Sequence, residues 1–340
     1  MINFSSLLSL KIFNLKFKQK GFSIKSQAVI LLNMGAPNSI FEVESFLKNM
    51  FNDPLILGIK NNFARKMLAS FITHKRVEDT KKNYALIGGK SPLIAHTFNL
   101  VNKLNEIDSE RLYTYAMRYT PPFAYDVLQD LQRQNIESVI LFSLYPQFCF
   151  STIHSSLLDA KAALNQLAFN PHLQEISHYH THTHYIDCIV ERIKECLGKD
   201  NPSEFVLLLS AHSLPQSRID EGDPYEKQCN ENKAALESAL VQKGIVFKKI
   251  ALSYQSKVGK MKWLEPSTEQ SIHKYKNHKL IIYPLSFTLD NSETEYELKI
   301  LYANLAKSLG VPDYRVCKCF NDDEKFAKSI ITILEENIKN

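Results

Sequence analysis

The stretch Phe205–Arg218, FVLLLSAHSLPQSR, decides how the rest of this chain is arranged. Its first five residues are apolar without interruption, and this run is far too short to cross a membrane. The pattern predicts a buried strand of a parallel sheet that ends at His212. Because ligands of open α/β sheets collect beyond the carboxyl ends of the strands, His212 is expected to face a cleft. A histidine that serves only the core is an equally weighted alternative at this point.

Other apolar runs on both sides of this strand repeat the pattern. They alternate with helical segments of about 10 to 15 residues, as in βαβ units, and so predict an α/β fold with parallel sheets. No GxGxxG motif follows the first of them, so a dinucleotide site of the usual kind is not expected. The further predicted strands are Ala28–Asn33, Leu112–Tyr119, Ser138–Leu144, Gln174–Tyr179, Lys248–Ser253, Leu280–Pro284 and Val316–Phe320.

Length, charge and cysteine content narrow the class of protein. A chain of 340 residues, 44% of them hydrophobic, can bury a large core and is expected to form two lobes of about 150 residues each. Five of its 41 basic residues precede the first acidic residue, Glu42, so the remaining 36 equal the 36 acidic ones. A neutral body argues against a nucleic-acid-binding surface. The six cysteines include no CxxC pair, which favours a reducing, cytoplasmic setting without disulfides or a zinc ribbon.

The leader, residues 1–27, mixes lysines with leucine and phenylalanine. It lacks the charge order and the cleavage site of a secretory signal. Two interpretations stay open: a disordered or adventitious leader, or a peripheral contact with an anionic membrane surface. No apolar run of about 18 residues occurs elsewhere, so a membrane span is not expected.

Two carboxylates follow one of the later predicted strands. Glu293 and Glu297 are four residues apart, so on a helix they share one face. Ser292 and Glu295 form the pattern of a capping box, which predicts that a helix begins there. Paired carboxylates in a closed cleft suit a group that takes up protons, and a solvated acidic turn is the alternative. Together with His212 they offer an open site for a divalent metal that is handled rather than stored.

The predicted strand ends and loops also carry cations, aromatic rings and a thioether. An arginine at a strand end, such as Arg118, grips a ligand carboxylate or pairs with a neighbouring acid, and both options stay open. Flat apolar surface with cations around it suits a flat ligand that bears carboxylates, and a porphyrin fits this description. The side chains in question are Met34, Lys75, Arg76, Arg118, Tyr145, Tyr254 and Trp263.

Four histidines alternate in the segment HYHTHTHY at residues 178–185. An extended chain would place all four on one side, where they could hold a transition metal. The segment lies between a predicted strand and a predicted helix, where a loop would separate them. Adventitious binding of metal at the surface is therefore the favoured interpretation.

Eight short motifs follow one another along the chain: LLNMGAP (31–37), GGKSPL (88–93), AMRY (116–119), LYPQF (144–148), LSAHSLP (209–215), GDPY (222–225), YQSKVGKMKWLEP (254–266) and FTLDNSETEYEL (287–298). In order and spacing they resemble the signatures of the ferrochelatase family, and the match runs from Ala28 to about Asn321. The resemblance implies insertion of Fe²⁺ into a free porphyrin, the terminal metallation of haem biosynthesis. It also implies two similar Rossmann-like lobes with the active-site cleft between them, which we place at residues 28–145 plus 306–340 and at residues 146–305.

The resemblance also assigns roles by position. His212 and Glu293 would serve as metal ligand and proton acceptor, without a decision on which does which. Glu297 would pass protons or metal along its helix face. The aromatic and thioether side chains named above would line the macrocycle, and the three cations would meet its propionates.

Some features depart from the family or lie outside it. Many members have a histidine where Asn291 stands, so a second imidazole is missing here. Cys317 and Cys319 are only one residue apart and no cysteine follows them, so no iron–sulfur cluster is expected. The expected enzyme is a monomeric lyase that has porphyrin and ferrous iron as its partners and no resident cofactor.

Two rival functions remain at this point. One is a non-catalytic porphyrin- or haem-binding protein on the same scaffold, which the missing imidazole at position 291 would favour. The other is a chelatase for another metal and tetrapyrrole, such as cobalt and sirohydrochlorin, whose many carboxylates would require a more basic cleft. Protoporphyrin IX and coproporphyrin III both stay open as substrates.

Overall fold

The computed structural model describes residues 25–259 and 261–338, and its strands form two parallel four-stranded sheets. The first sheet has the order β2-β1-β3-β4, with β1 Gln27–Asn33, β2 Leu112–Met117, β3 Ser138–Ser143 and β4 His172–Ile176. The second repeats this arrangement as β6-β5-β7-β8, with β5 Phe205–His212, β6 Lys249–Gln255, β7 Lys279–Pro284 and β8 Tyr314–Val316. The predicted α/β fold with two similar parallel sheets is confirmed.

Helices precede or connect the strands and cover the sheets. In chain order they are α1 Val43–Phe51, α2 Pro54–Leu57, α3 Asn62–Leu86, α4 Leu93–Ile107, α5 Ala124–Arg133, α6 Ser155–Leu167, α7 Thr183–Leu197, α8 Gln216–Asp220, α9 Tyr225–Gln242, α10 Thr268–Lys274, α11 Tyr302–Ser308 and α12 Glu324–Ile338. Two further segments are π-helices, Phe150–His154 and Glu293–Leu301. Helices of this kind are rare in proteins. Where they occur, they often lie at functional sites.

The sheets divide the chain at points that differ from the predicted lobe bounds. β4 pairs with β3 in the first sheet, and β8 pairs with β7 in the second. The predicted bounds, 28–145 plus 306–340 and 146–305, had placed each of these two strands in the other lobe. Both are short, and β4 carries few apolar residues, so the predicted strand Gln174–Tyr179 only overlaps it and gave no indication of the sheet to which it belongs. In residues 306–340, β8 thus belongs to the second sheet. The closing helix α12 instead packs against α4, which lies between two strands of the first sheet, and against α7.

Alternate residues of the central strands face different cores. Leu207 and Leu209 of β5 point into a core that also takes up Val29 and Leu31 of β1. Val206 of β5 faces a smaller cluster on the other side of its sheet. Each fully buried leucine of this kind stabilises the fold by about 2 kcal/mol. Because one core takes up residues of both sheets, the sheets are held in fixed positions around the site described below.

Some predictions fall outside what the structure describes. Residues 1–24 of the leader lie outside the described residues, so its membrane contact stays a prediction. Among the helices of the described residues, none combines the length and the apolar character that crossing a bilayer requires. All six cysteines are free thiols.

Candidate active site

A cavity of about 370 Å³ lies where the carboxyl ends of both sheets meet. Met34 follows β1, Tyr145 follows β3, Ser256 follows β6, and Phe287 follows β7, and all four line the cavity. The volume is within the range of small-molecule sites. The predicted cleft beyond the strand ends is therefore present, and both sheets contribute to it.

His212 is the last residue of β5 and is half-buried beside the cavity wall. Its Nδ1 lies 2.8 Å from the carbonyl oxygen of Ser213. A carbonyl oxygen only accepts, so Nδ1 carries the hydrogen and Nε2 is left as the lone-pair nitrogen of the neutral ring. Nε2 has no hydrogen-bond partner among the described residues, and the ring meets the cavity-lining Phe287 edge-on at 6.4 Å between centroids. His212 is not itself among the residues that line the cavity, and its ring reaches the wall through Phe287; its role as metal ligand or proton acceptor stays a prediction.

The backbone of His212 is fixed from two directions. Its N–H donates to the Ser286 hydroxyl at 3.2 Å, and its carbonyl oxygen accepts from the Tyr225 hydroxyl at 2.9 Å. The same two hydroxyls bond to each other at 2.6 Å. This network joins the end of β5 to the segment after β7, so the imidazole is held by rigid elements rather than by a free loop.

Glu293 opens the π-helix Glu293–Leu301, and Asn291 caps this helix. The Asn291 Oδ1 accepts from the backbone N–H groups of Glu293 at 2.8 Å and of Thr294 at 3.2 Å. In return the Asn291 N–H donates to the Thr294 hydroxyl at 3.0 Å. The capping box predicted for Ser292 and Glu295 is wrong, because Asn291 occupies that role and Glu295 pairs with Lys299. The residue that stands in place of a histidine thus has a structural function.

Glu293 lines the cavity between two phenols. Burial, together with the nearby charge of Glu293, raises the pKa of both Tyr84 and Tyr145 above the ordinary value of 10. The two phenols therefore stay protonated and act as donors or as walls. One oxygen of the carboxylate, Oε2, accepts from the Ser292 hydroxyl at 3.1 Å.

Glu297 also lines the cavity, and it is held by the end of β6. Its carboxylate accepts from the Ser256 backbone N–H at 2.8 Å, from the Gln255 amide at 3.1 Å and from the Tyr302 hydroxyl at 3.0 Å. The Ser256 hydroxyl donates to it as well. The side chain is therefore a fixed anion one turn along from Glu293, and its predicted role in passing protons or metal stays a prediction.

The two neighbouring cations of α3 are placed differently. Arg76 lines the cavity, and burial lowers the pKa of its guanidinium. It has no carboxylate partner among the described residues, and its guanidinium lies 5.6 Å from the ring centroid of Phe51. Lys75 is exposed, with its ammonium group 4.6 Å from the centroid of the Phe71 ring, and it lies away from the cavity. A half-buried cation without an acidic partner can bind the carboxylate of a ligand. Of the two cations, Arg76 has these properties and Lys75 does not.

Arg118 does not reach the cavity, which corrects its predicted role. Its guanidinium pairs with Asp53 at 3.1 Å and with Asp159 at 3.3 Å, and its Nε donates to the Ser155 hydroxyl at 2.9 Å. Of the two options that the sequence left open, the neighbouring acids are the one observed. A guanidinium that already pairs with two carboxylates of the protein has few donors left for the carboxylate of a ligand.

Tyr254 and Trp263 also lie outside the cavity wall. Tyr254 is buried in the core on the side of β6 opposite Ser253 and Gln255, as the alternation of side chains along a strand requires. The Trp263 indole N–H donates to the carbonyl oxygen of Val258 at 3.0 Å. Because Val258 lines the cavity, this hydrogen bond connects Trp263 to the wall, although Trp263 does not itself line the cavity.

Several residues of the wall were not predicted as site residues, among them Tyr84, Phe287 and Ser292. Phe287 and Ser292 lie inside the motif FTLDNSETEYEL, so the motif itself was the signal that could have marked them. Tyr84 precedes a glycine turn, and nothing local indicates that its ring faces the site. Met34 and Tyr145, which were predicted, both line the cavity.

The histidine row does not form a metal site. His180 Nε2 lies 2.9 Å from a Glu231 oxygen and His182 Nε2 lies 2.9 Å from a Glu336 oxygen, so the row splits between two partners. Burial lowers the pKa of His180. In the described part of the chain, no group of three or more His, Cys, Asp or Glu side chains is arranged to hold a metal ion.

Comparison with known proteins shows the family of this chain. The family model described as Ferrochelatase matches residues 26–338. A ferrochelatase of Helicobacter hepaticus is 76% identical over 90% of this chain and 98% of its own length. A ferrochelatase of Wolinella succinogenes is 52% identical over 91% and 98%. Among solved structures, SirB from Bacillus subtilis with Fe³⁺ is similar in fold alone, with a TM-score of 0.54 and 11% identity over 89% of this chain and 92% of its own.

Two like parallel sheets with a cavity at their carboxyl ends define the class of α/β fold, which the chain shares with SirB. The extent of the family match and the high identity to named relatives then decide the family. The chain belongs to the ferrochelatase family, whose members insert Fe²⁺ into a porphyrin in haem biosynthesis.

Proposed function

We propose that His212 and Glu293 carry the metallation in this cavity, as metal ligand and proton acceptor, on a porphyrin held by the opposite wall. The observation that supports this most is the lone-pair nitrogen of His212 beside a cavity that a carboxylate lines. His212 has an Nε2 lone pair without a partner among the described residues. Glu293 lines the neighbouring cavity, and the Oε2 atom of its carboxylate accepts a hydrogen bond from Ser292.

The chemistry requires such a pair. One Fe²⁺ replaces the two protons of the inner pyrrole nitrogens, so each turnover needs two proton acceptors close to the ring. An imidazole and a carboxylate are also borderline and hard ligands that hold Fe²⁺ loosely with positions left open. Fixed groups of this kind replace the water that the ion loses as it enters the ring.

The remaining wall suits the macrocycle. Met34 and Tyr145 offer a thioether and a ring, and Arg76 offers the cation for a propionate. Among the described residues of this wall, Arg76 is the one cation without an acidic partner, since Lys257 pairs with Glu265. This fits a porphyrin with few carboxylates better than sirohydrochlorin with many. Protoporphyrin IX and coproporphyrin III are both retained as substrates.

Further parts of the proposal concern the reaction class and the setting. The enzyme is a lyase and acts as a monomer without a resident cofactor or an iron–sulfur cluster. Cys317 and Cys319 are only one residue apart and no cysteine follows them, a spacing that does not suit a cluster. Free cysteines throughout fit a reducing cytoplasm.

The test is an anaerobic steady-state assay with Fe²⁺ and each of the two porphyrins, followed by the change in porphyrin absorbance. We expect many turnovers per protein molecule with at least one of them. Stoichiometric porphyrin binding without metallation would instead support the non-catalytic binding protein. The structure offers this alternative little support, because Asn291, which suggested it, is explained as a helix cap.

A further inference from the structure

Two hydroxyl groups stand in line behind the Glu293 carboxylate. The Tyr84 hydroxyl, at the end of α3, lies 3.3 Å from the Ser292 hydroxyl, and the Ser292 hydroxyl lies 3.1 Å from Glu293 Oε2. All three side chains line the cavity. The contact joins two elements that are far apart in the sequence, the long helix α3 and the π-helix.

The direction of these hydrogen bonds follows from the groups involved. An ionised carboxylate only accepts, so the single hydroxyl hydrogen of Ser292 points at Glu293. Ser292 Oγ then has only lone pairs left for Tyr84, and the phenol must donate. Burial and the nearby Glu293 charge raise the pKa of Tyr84, so the phenol keeps the hydrogen that this order requires.

We propose that Tyr84 and Ser292 are positioning residues for metallation, which fix Oε2 of Glu293 and leave Oε1 as the oxygen that receives a pyrrole proton. This rests on the proposed function of Glu293. In the described part of the chain Oε1 has no hydrogen-bond partner, whereas Oε2 has one. A carboxylate with one oxygen tied down keeps a single orientation, and an oriented acceptor lowers the barrier to proton transfer more than a rotating one.

The two residues have unequal shares in this arrangement. Ser292 touches the carboxylate directly, and Tyr84 acts only through Ser292 by fixing the rotation of its hydroxyl. This series of hydrogen bonds predicts that loss of the Ser292 hydroxyl lowers the metallation rate more than loss of the Tyr84 hydroxyl. It also predicts that Tyr84 has little left to contribute once Ser292 is gone.

The experiment compares Ser292→Ala, Tyr84→Phe and the double variant in the anaerobic metallation assay. We expect Ser292→Ala to lower kcat about fivefold with KM for porphyrin within about twofold. Tyr84→Phe should lower kcat about twofold, and the double variant should match Ser292→Ala.

Ser292→Thr, which keeps a hydroxyl, should restore most of the activity, and Tyr125→Phe and Ser308→Ala provide matched substitutions away from the cavity. A purely structural role would be contradicted by unchanged thermal unfolding in Ser292→Ala. The inference is overturned if Ser292→Ala keeps the wild-type kcat, or if the effects of Tyr84→Phe and Ser292→Ala simply multiply.

Glu293→Gln separates this inference from the proposed function. If Glu293→Gln is slow and Ser292→Ala is normal, only the positioning role fails. If Glu293→Gln itself is normal, the assignment of Glu293 fails and the positioning role fails with it.

Discussion

The two sheets share one strand order, yet their carboxyl ends bring different chemistry to the cavity. The side of the first sheet contributes a thioether, a phenol and an unpaired guanidinium, from Met34, Tyr145 and Arg76. The side of the second contributes two carboxylates, from Glu293 and Glu297, with the imidazole of His212 beside the wall at Phe287. The two halves of the repeated fold therefore carry different side chains. Those of the first half are suited to holding a flat acidic ligand, and those of the second to binding metal and accepting protons.

The largest effect is expected on the reactive side. His212→Ala should lower the metallation rate by at least about 1000-fold, because it removes a proton acceptor or metal ligand that no neighbour replaces. Initial rates with Fe²⁺ under anaerobic conditions measure this. His184→Ala, which removes an exposed histidine far from the site, is the control, and near-normal metallation by His212→Ala would contradict the assignment.

Glu293→Gln should slow metallation by about 100-fold, since the amide keeps the shape but neither accepts a proton nor carries charge. Single-turnover rates at saturating porphyrin give the chemical step directly. Glu295→Gln changes a carboxylate of the same helix that pairs with Lys299, and it should retain the wild-type rate. Equal rates in the two variants would remove Glu293 from the site.

On the binding side, Arg76→Met should raise KM for porphyrin about tenfold and leave kcat within about twofold. The methionine keeps much of the apolar contact and loses only the charge. Lys82→Met, an exposed cation of the same helix, serves as the control. A fall in kcat without a change in KM would show that Arg76 belongs to the reacting side and would break the comparison between the sheets.

A fourth prediction concerns stability and lies at the opposite end of the first sheet. Asp108 accepts from the Tyr113 hydroxyl at 2.7 Å and from Arg111 at 2.9 Å. Burial alone would raise its pKa, but these hydrogen bonds lower it below 3.8. A lowered pKa stabilises the fold above pH 3.8, and this contribution is lost as the pH falls through the folded-state value.

Asp108→Asn should therefore lower the free energy of unfolding by about 2 kcal/mol at pH 7, and the loss should shrink in acid. Kinetic constants should stay unchanged. Denaturant titrations at pH 7 and at about pH 3 check both points. A loss of equal size at the two pH values would contradict the ionic origin of the effect.

The sequence predicted the fold well because burial in a parallel sheet leaves a local trace. Phe205–His212 is found exactly as expected, and Gln27–Asn33 starts one residue earlier than the predicted strand. The end of a buried run also placed His212 at the cavity. In contrast, β4 carries too few apolar residues to be delimited from sequence alone.

Long-range pairing was out of reach of the sequence. Whether Arg118 meets a ligand or an acid depends on Asp53 and Asp159, which only the tertiary structure brings beside it. Tyr254 belongs to the motif YQSKVGKMKWLEP and directly precedes Gln255. Because side chains alternate along β6, its ring points into the core. A motif marks a neighbourhood, while the direction of each side chain depends on the strand that carries it.

The helix after β7 shows a third limit. Its Ser292-x-x-Glu295 pattern indicates a capping box, but Asn291 accepts both backbone hydrogen bonds instead. The π-helix that follows has no recognisable signature in a sequence read with a period of 3.6 residues. Local patterns compete for the same backbone groups, and the tertiary setting chooses among them.

The division between the sheets is tested most directly by the dissociation constant of the metal-free porphyrin, measured for His212→Ala and Arg76→Met by quenching of porphyrin fluorescence. The account predicts wild-type affinity for His212→Ala, although that variant no longer metallates, and about tenfold weaker binding for Arg76→Met. Lost porphyrin affinity in His212→Ala together with wild-type affinity in Arg76→Met would contradict it.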